Sequence, residues 1–559
     1  MLFKSIIFSF ILMPSFSWGS SPEENAITFG LLTLIPPVLS ILLAFFTKNV
    51  YSSLLCGIWA GALLLSKSEG FFTTVYNSFE KMIVIIITVL SDSWSATIIA
   101  QLITISGMIA IISKNGGSFA IASTIAKKAK TARSAQIFTC FTALFIFFDD
   151  YANCLITGPV MKTITDKLKV SREKLSFLVD STAAPIAGIA LISTWIGYEL
   201  GVLRDAYIIA GVADPNTYQI FIQTLPYRFY NFFILGFLFI IAFLNKDFGP
   251  MLRAEQRARQ KGIMVNSSPS ESIDDFLIPD PKIVYKMSNA LIPLSVLILG
   301  TFFGIWYDGY RELVSNNTDF STLHGYNYML AILGSCDVIV VILKASILAS
   351  IVAIIVSTIN KSISFFEAIK IWIIGAQNLT STVIILILAW SISAIIKEIG
   401  TSAYIITMLQ NNIPVVIIPT ITFILASIIA FSTGTSYGTM GILMPLAIPL
   451  VATLSGDANS TLTTITAGTV LTGAIVGDHC SPISDTTILS AGGAGCPLID
   501  HVNTQLPYTI FVASISIICG YLLIALGLPI IVSYVIGFIS MITIVFFIGK
   551  HPDTEPIKE

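Results

Sequence analysis

The stretch that decides the fold is "GDHCSPISDTTILS", from Gly477 to Ser490. It places two aspartates, one histidine, one proline and five hydroxyl side chains between segments that are almost wholly apolar. Ionisable groups are costly to bury in apolar surroundings. The stretch therefore indicates a polar site inside an otherwise apolar protein.

The surrounding chain is typical of a helical membrane protein. Of its 559 residues, 55% are hydrophobic and 11% are charged, whereas soluble domains carry roughly 25% charged residues. Apolar runs of about 20 residues are long enough to cross a bilayer. Such runs are Ile27 to Phe46, Pro226 to Leu244, Met287 to Trp306, Asp337 to Thr358, Tyr508 to Gly527 and Pro529 to Phe547. The seven cysteines are odd in number, which argues against a disulfide framework.

An internal duplication relates the two halves of the chain. With an offset of 283 residues (441 − 158), Gly158 aligns with Gly441. Further on, an offset of 297 (482 − 185) aligns Pro185 with Pro482, and "STAAPIAGIALIS" with "DHCSPISDTTILS". The order of the matches and the nearly constant offset indicate two copies of one unit.

Basic residues show how the copies are oriented. In the first copy, the flanking loops "KKAKTARS" and "KTITDKLKVSREK" are strongly basic, whereas the matching loops "TSAYIITMLQNN" and "SGDANSTLTT" contain no Lys or Arg. Basic loops stay cytoplasmic, so the repeats are predicted to be inverted. Both ends of residues 137–161 then lie inside, which predicts a re-entrant hairpin turning at "DDYAN". A second hairpin near 413–452 would enter from outside and turn at "STGTSYG".

The predicted fold is an all-α polytopic membrane protein with inverted repeats, two opposed re-entrant hairpins, broken helices and about 11 transmembrane helices. Residues 1–20 have the layout of a secretory signal peptide, with an uncleaved anchor as the alternative. The predicted parts are a first transmembrane half (27–244), a cytoplasmic connector (245–286), a second half (287–500), a C-terminal transmembrane hairpin (508–548) and a cytoplasmic tail (549–559).

Irregular backbone at membrane depth persists only beside protein or a water-filled cavity. Hairpin tips and helix breaks are therefore expected to converge on one midplane site, as in secondary transporters. The candidate ion-binding residues are Asp149, Asp150, Asn153, Asp180, Asp478 and Asp485. The supporting candidates are Thr433, Thr435, His479, Ser481, Pro482, Ser484 and Thr486. Carboxylates among hydroxyls are hard oxygen ligands, suited to small hard cations.

Alternatives remain for individual residues. Asp149 and Asp150 are adjacent, so one is expected to cap the helix of the hairpin, and Asp150 is favoured for the ion. Asp180 is either a ligand or a helix N-cap, and His479 either titrates or is structural. Trp195 is interpreted as a packing residue or an interface anchor rather than a substrate contact. The cation is predicted at Asp150, Asp478 and Asp485.

These groups favour cation exchange coupled to protons. A buried carboxyl group can hold a proton near neutral pH and release it when a cation competes. Zinc at His479 and Cys480 is disfavoured because adjacent residues rarely form a site alone. No nucleophile–base set or nucleotide loop is present, so an enzyme is not predicted, and no cofactor is expected beyond the transported cation and H⁺.

The motif from Gly477 to Ser490, with "FFDDYANCLITGPVM" and "LVDSTAAPIAGIALISTWIGYELG", resembles the NhaC-type sodium/proton antiporters of the ion-transporter superfamily. The resemblance runs from about Phe29 to Ile548. It implies a multi-pass protein of the cell (inner) membrane that exchanges cytoplasmic sodium for external protons, with sodium at Asp150, Asp478 and Asp485. The implied partners are the lipid bilayer, Na⁺ and H⁺, with no nucleic acid and a homodimer left open. The family also contains exchangers of organic acids such as malate and lactate, so a sodium- or proton-coupled organic acid exchanger is the alternative.

Overall fold

The computed structural model describes residues 22–553 apart from 48, 67–69, 266–278, 280–282, 316–327, 329–330, 333–334, 402, 405–407 and 409–413. Within these residues the regular structure is helical, with one isolated β-bridge between Asp247 and Lys550. The predicted signal peptide (1–20) lies outside the described residues. The all-α fold class predicted from composition and periodicity is confirmed.

The first half of the chain contains a helical hairpin, α7–α8, followed by a broken helix, α9–α10. Its helices are α1 (Pro22–Phe29), α2 (Ile35–Thr47), α3 (Val50–Leu65), α4 (Phe71–Ser91), α5 (Ser93–Lys114), α6 (Gly117–Ala126), α7 (Ala132–Phe145), α8 (Asp150–Lys167), α9 (Arg172–Ala187), α10 (Ile196–Ile209), α11 (Thr217–Thr224), α12 (Phe229–Leu244) and α13 (Gly249–Gln256).

The second half repeats this order with the hairpin α18–α19 and the broken helix α20–α21. Its helices are α14 (Ser288–Ser315), α15 (Val338–Ile359), α16 (Phe365–Asn378), α17 (Thr380–Ile399), α18 (Ile418–Thr433), α19 (Ser436–Ser455), α20 (Thr461–Asp478), α21 (Asp485–Ala494), α22 (Leu498–Ile515), α23 (Leu522–Ala525) and α24 (Ile530–Ile548). The duplication seen in the sequence thus reappears as two hairpins, each followed by a broken helix.

Both ends of the first hairpin lie on one face of the molecule, called here the connector face because residues 245–265 lie there. Near the start of α7, the Arg133 guanidinium lies 5.7 Å from the centre of the Phe243 ring, at the end of α12. Just beyond α8, the Ser171 backbone N–H donates to Glu255 Oε1 at 2.7 Å. The chain therefore enters the fold and returns to the same face, as a re-entrant hairpin does.

The C-terminal segment lies on the connector face as well. The backbones of Asp247 and Lys550 exchange hydrogen bonds of 3.0 and 2.9 Å. Asp247 also forms a buried ion pair with Lys174, in the first turn of α9. The connector thus joins the end of the chain to the start of the first broken helix.

Prolines mark both broken helices. Pro185 lies in the last turn of α9, and Pro482 lies between α20 and α21. A proline lacks the backbone N–H that would continue the helix. The freed backbone finds partners in the hairpins, since the Thr194 N–H, in the first break, donates to the Phe148 carbonyl at 3.0 Å. The tip of the first hairpin therefore touches the break that follows it.

The tip of the second hairpin requires a glycine. Gly434 has a φ of +65°, which side chains disfavour. A Cβ atom there would lie 2.7 Å from Ile483 Cγ1 and 2.8 Å from the Ile483 carbonyl oxygen. This tip therefore packs directly against the second break.

The two repeats interlock where α8 crosses α21. A Cβ atom on Gly158 would lie 2.7 Å from the carbonyl carbon of Gly493, and one on Gly493 would lie 2.8 Å from the Cys154 carbonyl oxygen. Both distances are shorter than Cβ contacts in real proteins, so the two backbones touch without intervening side chains. The first hairpin and the second broken helix are thereby held together.

The helix lengths explain why the number of spans is hard to count. Within the described part of the chain, nine helices are long and apolar enough to cross a membrane. The number becomes ten if Thr217–Tyr227 and Phe229–Leu244, bent by 49°, form one span. The sequence predicted about 11 transmembrane helices. The breaks and short hairpin arms leave α7 to α10 too short or too polar to qualify by length and composition.

Candidate ion-binding site

The two hairpin tips and the two helix breaks meet around one pocket. It encloses about 260 Å³, which includes space open to solvent. The pocket is lined by Asp150, Tyr151, Trp195, Gly434, Thr435, Ser436, Tyr437, Asp478, Ser484, Asp485 and Thr486. Residues from all four irregular segments therefore share a single site.

Each hairpin tip also touches the break in the opposite repeat. From the first tip, the Tyr151 hydroxyl donates to Asp485 Oδ2 at 3.3 Å. From the second tip, the Tyr437 ring lies 5.0 Å from the Trp195 ring, centre to centre. The Tyr437 carbonyl accepts a hydrogen bond from the Tyr198 hydroxyl. These cross-contacts make the pocket a joint product of both repeats.

The adjacent aspartates of the first tip have different roles. Asp149 is the N-cap of α8, and its Oδ1 accepts from the Ala152 N–H at 2.6 Å. Asp150 is the first residue of α8, is only 5% exposed and lines the pocket. Capping fixes where α8 begins, and this sets Asp150 into the pocket.

The second tip brings hydroxyl groups to the site. Thr435 is the N-cap of α19 and lines the pocket. The next hydroxyl, of Ser436, donates to Asp478 Oδ2 at 2.7 Å. Thr433 differs, since its hydroxyl donates to the Ile429 carbonyl at 2.9 Å, within its own helix. Such bonding to the preceding turn is common for threonine and leaves Thr433 outside the pocket lining.

The second break supplies two more carboxylates. Asp478 is 6% exposed, and its Oδ1 has no hydrogen-bond partner among the described residues. Asp485 is the first residue of α21 and its side chain is exposed. On either side of Asp485 in the chain, the hydroxyls of Ser484 and Thr486 lie 3.1 Å apart. The pocket thus has one deep carboxylate and one at its opening on this side.

The helix ends around the pocket provide both signs of partial charge. The N-termini of α8, α10, α19 and α21 begin beside it, and the C-termini of α18 and α20 end beside it. Unpaired N–H groups at N-termini favour anions, and unpaired carbonyls at C-termini favour cations. The side chains decide whether the pocket favours anions or cations. Its charged lining residues are all aspartates, which favour cations.

Several predicted site residues lie outside the pocket lining. Asn153 Nδ2 donates to the Ala143 carbonyl at 2.8 Å and so ties the two arms of the first hairpin. Asp180 lies in the middle of α9, so the interpretation that it caps a helix is wrong. His479 Nε2 bonds the Tyr230 hydroxyl away from the pocket. Ser481 and Pro482 form the turn of the second break.

Sequence reasoning missed Tyr151, Ser436 and Tyr437 and interpreted Trp195 as a packing residue or interface anchor, whereas all four line the pocket. Each lies within a motif that the sequence had already singled out. The available signal was position, since all four lie at or next to a hairpin tip or a helix break.

The carboxylates do not form a closed cage. Among the described residues, no three His, Cys, Asp or Glu side chains approach closely enough to hold one metal ion together. A bound cation would therefore take part of its ligands from hydroxyls and from carbonyls at the helix ends. Hard monovalent and alkaline-earth cations accept such mixed oxygen ligands.

Known proteins match both the sequence and the fold. The family model described as "Na+/H+ antiporter family" matches residues 186–527. A protein of Haemophilus influenzae, described as uncharacterized, is 30% identical over 525 residues, which cover 93% of this chain and 95% of that one. The YdaH transporter of Alcanivorax borkumensis has the same fold, with a TM-score of 0.56 at 12% identity, covering 88% of this chain and 99% of its own.

Two further relatives match over shorter segments. An uncharacterized Na⁺/H⁺ antiporter of H. influenzae is 36% identical over 104 residues, 17% of this chain and 20% of its own. The malate-2H⁺/Na⁺-lactate antiporter of Bacillus subtilis is 31% identical over 105 residues, 18% of this chain and 21% of its own. The chain thus spans about a fifth of the length of each of these two. The family model covers well over half of the chain, and the chain belongs to the Na⁺/H⁺ antiporter family.

Proposed function

We propose that this protein exchanges sodium for protons across the cell membrane, as a transporter rather than an enzyme. The observation that carries the proposal is the pair of buried pocket carboxylates, Asp150 and Asp478, with no basic residue in the pocket lining. Family membership supports the same function.

The exchange follows from the cost of leaving a carboxylate buried without a counter-charge. Such a group is stable when it carries a proton or faces a cation, and unstable when it has neither. Binding of a proton and binding of a cation are therefore mutually exclusive. A site that alternates between the two faces of the membrane then exchanges one for the other.

The proposed sodium ligands are the carboxylates of Asp150, Asp478 and Asp485. Ser436 and Asp478 are already hydrogen-bonded, and Asp478 keeps one oxygen unpaired within the described part of the chain. The hydroxyls of Thr435, Ser484 and Thr486 line the same pocket and would complete the oxygen ligands. The other predicted residues would support the site from behind by fixing the hairpin and the breaks.

A sodium- or proton-coupled organic acid exchanger is the second candidate. The four helix N-termini at the pocket favour it, because they can hold a carboxylate substrate. The malate–lactate relative points the same way over its short match. The three pocket aspartates count against an anionic substrate, since their charges would repel it.

Purified protein in liposomes with an internal pH dye separates the two candidates. An imposed sodium gradient should move protons the opposite way without any organic acid. Because proton and sodium compete, apparent sodium affinity should fall as pH is lowered, by about tenfold per pH unit once one carboxyl is protonated. Proton movement that requires malate or lactate, or sodium affinity that is flat between about pH 6 and 8, would instead favour the second candidate or a different site.

We also propose that the connector face is cytoplasmic, which makes residues 245–286 a cytoplasmic connector and 549–559 a cytoplasmic tail. The support is the positive-inside rule, because both basic loops of the first repeat lie on this face. A single cysteine replacing Asp553 should react with an impermeant thiol reagent only in inside-out vesicles. Labelling in intact cells would show that the connector face lies outside the cell. The homodimer stays a prediction.

A further inference from the structure

A second polar cluster lies behind the pocket and is wholly buried. It joins Asp180 on α9 to Thr487 on α21 and to His501 and Gln505 on α22. Asp180 Oδ2 lies 3.1 Å from His501 Nε2 and accepts from Gln505 Nε2 at 2.7 Å and from the Thr487 hydroxyl at 3.4 Å. All four side chains have 0% exposure. These four residues are called the Asp180–His501 cluster.

The cluster has polar atoms with unused hydrogen-bonding capacity. Asp180 Oδ1, His501 Nδ1 and Gln505 Oε1 are buried and have no partner among the described residues. Buried polar atoms without partners are rare in native proteins, and each calls for an explanation such as water or an ion. Three such atoms in one cluster indicate a site that can accept a polar species such as water or an ion.

The position of the cluster suggests what passes through it. Asp180 lies eight residues after Arg172 and eight before Gly188 (180 − 172 and 188 − 180), which is about 12 Å from either end of this helical segment. One end is the connector face, where Arg172 Nη1 donates to the Gly495 carbonyl at 3.2 Å. The other end is the first break. In α21, Thr487 directly follows Thr486, which lines the pocket. The cluster therefore lies between the pocket and the connector face.

We propose that Asp180 and His501 carry the transported proton between the pocket and the connector face, while sodium stays with the pocket carboxylates. The proposal rests on the proposed exchange function. That function needs a sodium path and a proton path, and the proposal assigns the proton path. A proton arriving at the unpaired His501 Nδ1 forms an imidazolium whose Nε2–H donates to Asp180 Oδ2. Transfer of the Nε2 proton to Asp180 Oδ2, followed by its loss from that carboxyl to the next proton acceptor along the path, restores the neutral ring and the carboxylate, and no bond to carbon changes.

Other titratable groups face Asp180 from the packed elements and bear on its proton. They are Cys154 on α8, Tyr230 on α12, Asp478 and His479 at the end of α20, and Cys480 in the second break. His479 is linked to the cluster, because its carbonyl accepts from Gln505 Nε2. Asp478 lines the pocket, so sodium entry there would act directly on the negative charge that Asp180 senses.

The test measures two activities of the same reconstituted protein. Sodium self-exchange, followed with radioactive sodium on both sides, needs the pocket but no net proton movement. Sodium-driven proton movement needs both paths. For Asp180→Asn and His501→Gln we expect self-exchange to persist and proton movement to fall by about 100-fold or more, the size of a lost proton-transfer group.

Two exposed residues provide matched controls, Asp214→Asn and His551→Gln, which should leave both activities unchanged. Unimpaired proton movement in both cluster variants would overturn the proposal, and so would loss of both activities in folded protein. If Asp180→Asn does not accumulate, His501→Gln decides alone. Wild-type protein that self-exchanges sodium without moving protons would instead overturn the proposed function.

Discussion

Asp478→Asn should abolish sodium-driven proton exchange, by about 100-fold or more, while the protein still inserts and folds. The carboxylate is buried, its Oδ2 is held by the Ser436 hydroxyl at 2.7 Å, and its Oδ1 is unpaired among the described residues. Asparagine keeps the shape and can keep the hydrogen bond from Ser436. It removes the negative charge and the exchangeable proton, and both are needed for mutually exclusive binding. Transport in liposomes measures the exchange, and the elution profile in detergent shows whether the variant is folded.

Asp149→Asn is the informative comparison for this variant. Asp149 is equally buried and lies beside the pocket, but it serves as the N-cap of α8. Asparagine is about as good an N-cap as aspartate, so much of the activity should remain. Full activity of Asp478→Asn would show that the ion is held elsewhere, and equal losses in both variants would show that Asp149 does more than cap α8.

Glu199→Gln should destabilise the protein more than most single substitutions. Glu199 on α10 forms a doubly hydrogen-bonded ion pair with Arg228, with distances of 3.1 and 3.0 Å, and both side chains have 0% exposure. Arg228 also donates to the Gly188 carbonyl at the end of α9. Removing one charge leaves the other buried and uncompensated, at a cost of about 3–5 kcal/mol. The melting temperature in detergent should fall markedly, and transport should fall with it.

A partly exposed ion pair offers the matched control. Lys81 and Glu398 lie 2.5 Å apart, with side chains 28% and 41% exposed. Water stabilises a charge left alone there, so Glu398→Gln should cost about 0–1 kcal/mol. A Glu199→Gln protein as stable as Glu398→Gln would contradict the prediction. Replacing both members, as Glu199→Leu with Arg228→Met, should recover part of the stability, because no lone charge remains.

The repeat pattern predicted the irregular parts of the fold. Two segments aligned at nearly constant offset, each with a hairpin motif and a proline-containing polar motif, and the requirement to satisfy irregular backbone placed them together. Asp150, Thr435 and Asp478 accordingly line the pocket. The contacts between repeats were not predictable in this way. An offset shows which segments correspond, but not how each helix is rotated about its axis, and that rotation decides that Tyr151 meets Asp485.

The Asp180–His501 cluster shows a different limit. Asp180 was noticed as an acidic residue in an apolar segment, but its partners His501 and Gln505 lie on α22, which belongs to neither repeat unit. Their i, i+4 spacing puts both side chains on one face of α22, but no internal match shows which helix that face meets. Only the packing of α22 against α9 reveals that an isolated aspartate has a histidine beside it.

The contact between Gly158 and Gly493 constrains how the transporter can work. Backbones that touch without side chains between them leave no compressible layer, so neither can slide or tilt without carrying the other. In any movement of the site, the first hairpin and the α21 half-helix, which bring Asp150 and Asp485 to it, are then expected to move together as one rigid body. A change of access would therefore take place between this body and the rest of the protein rather than within it.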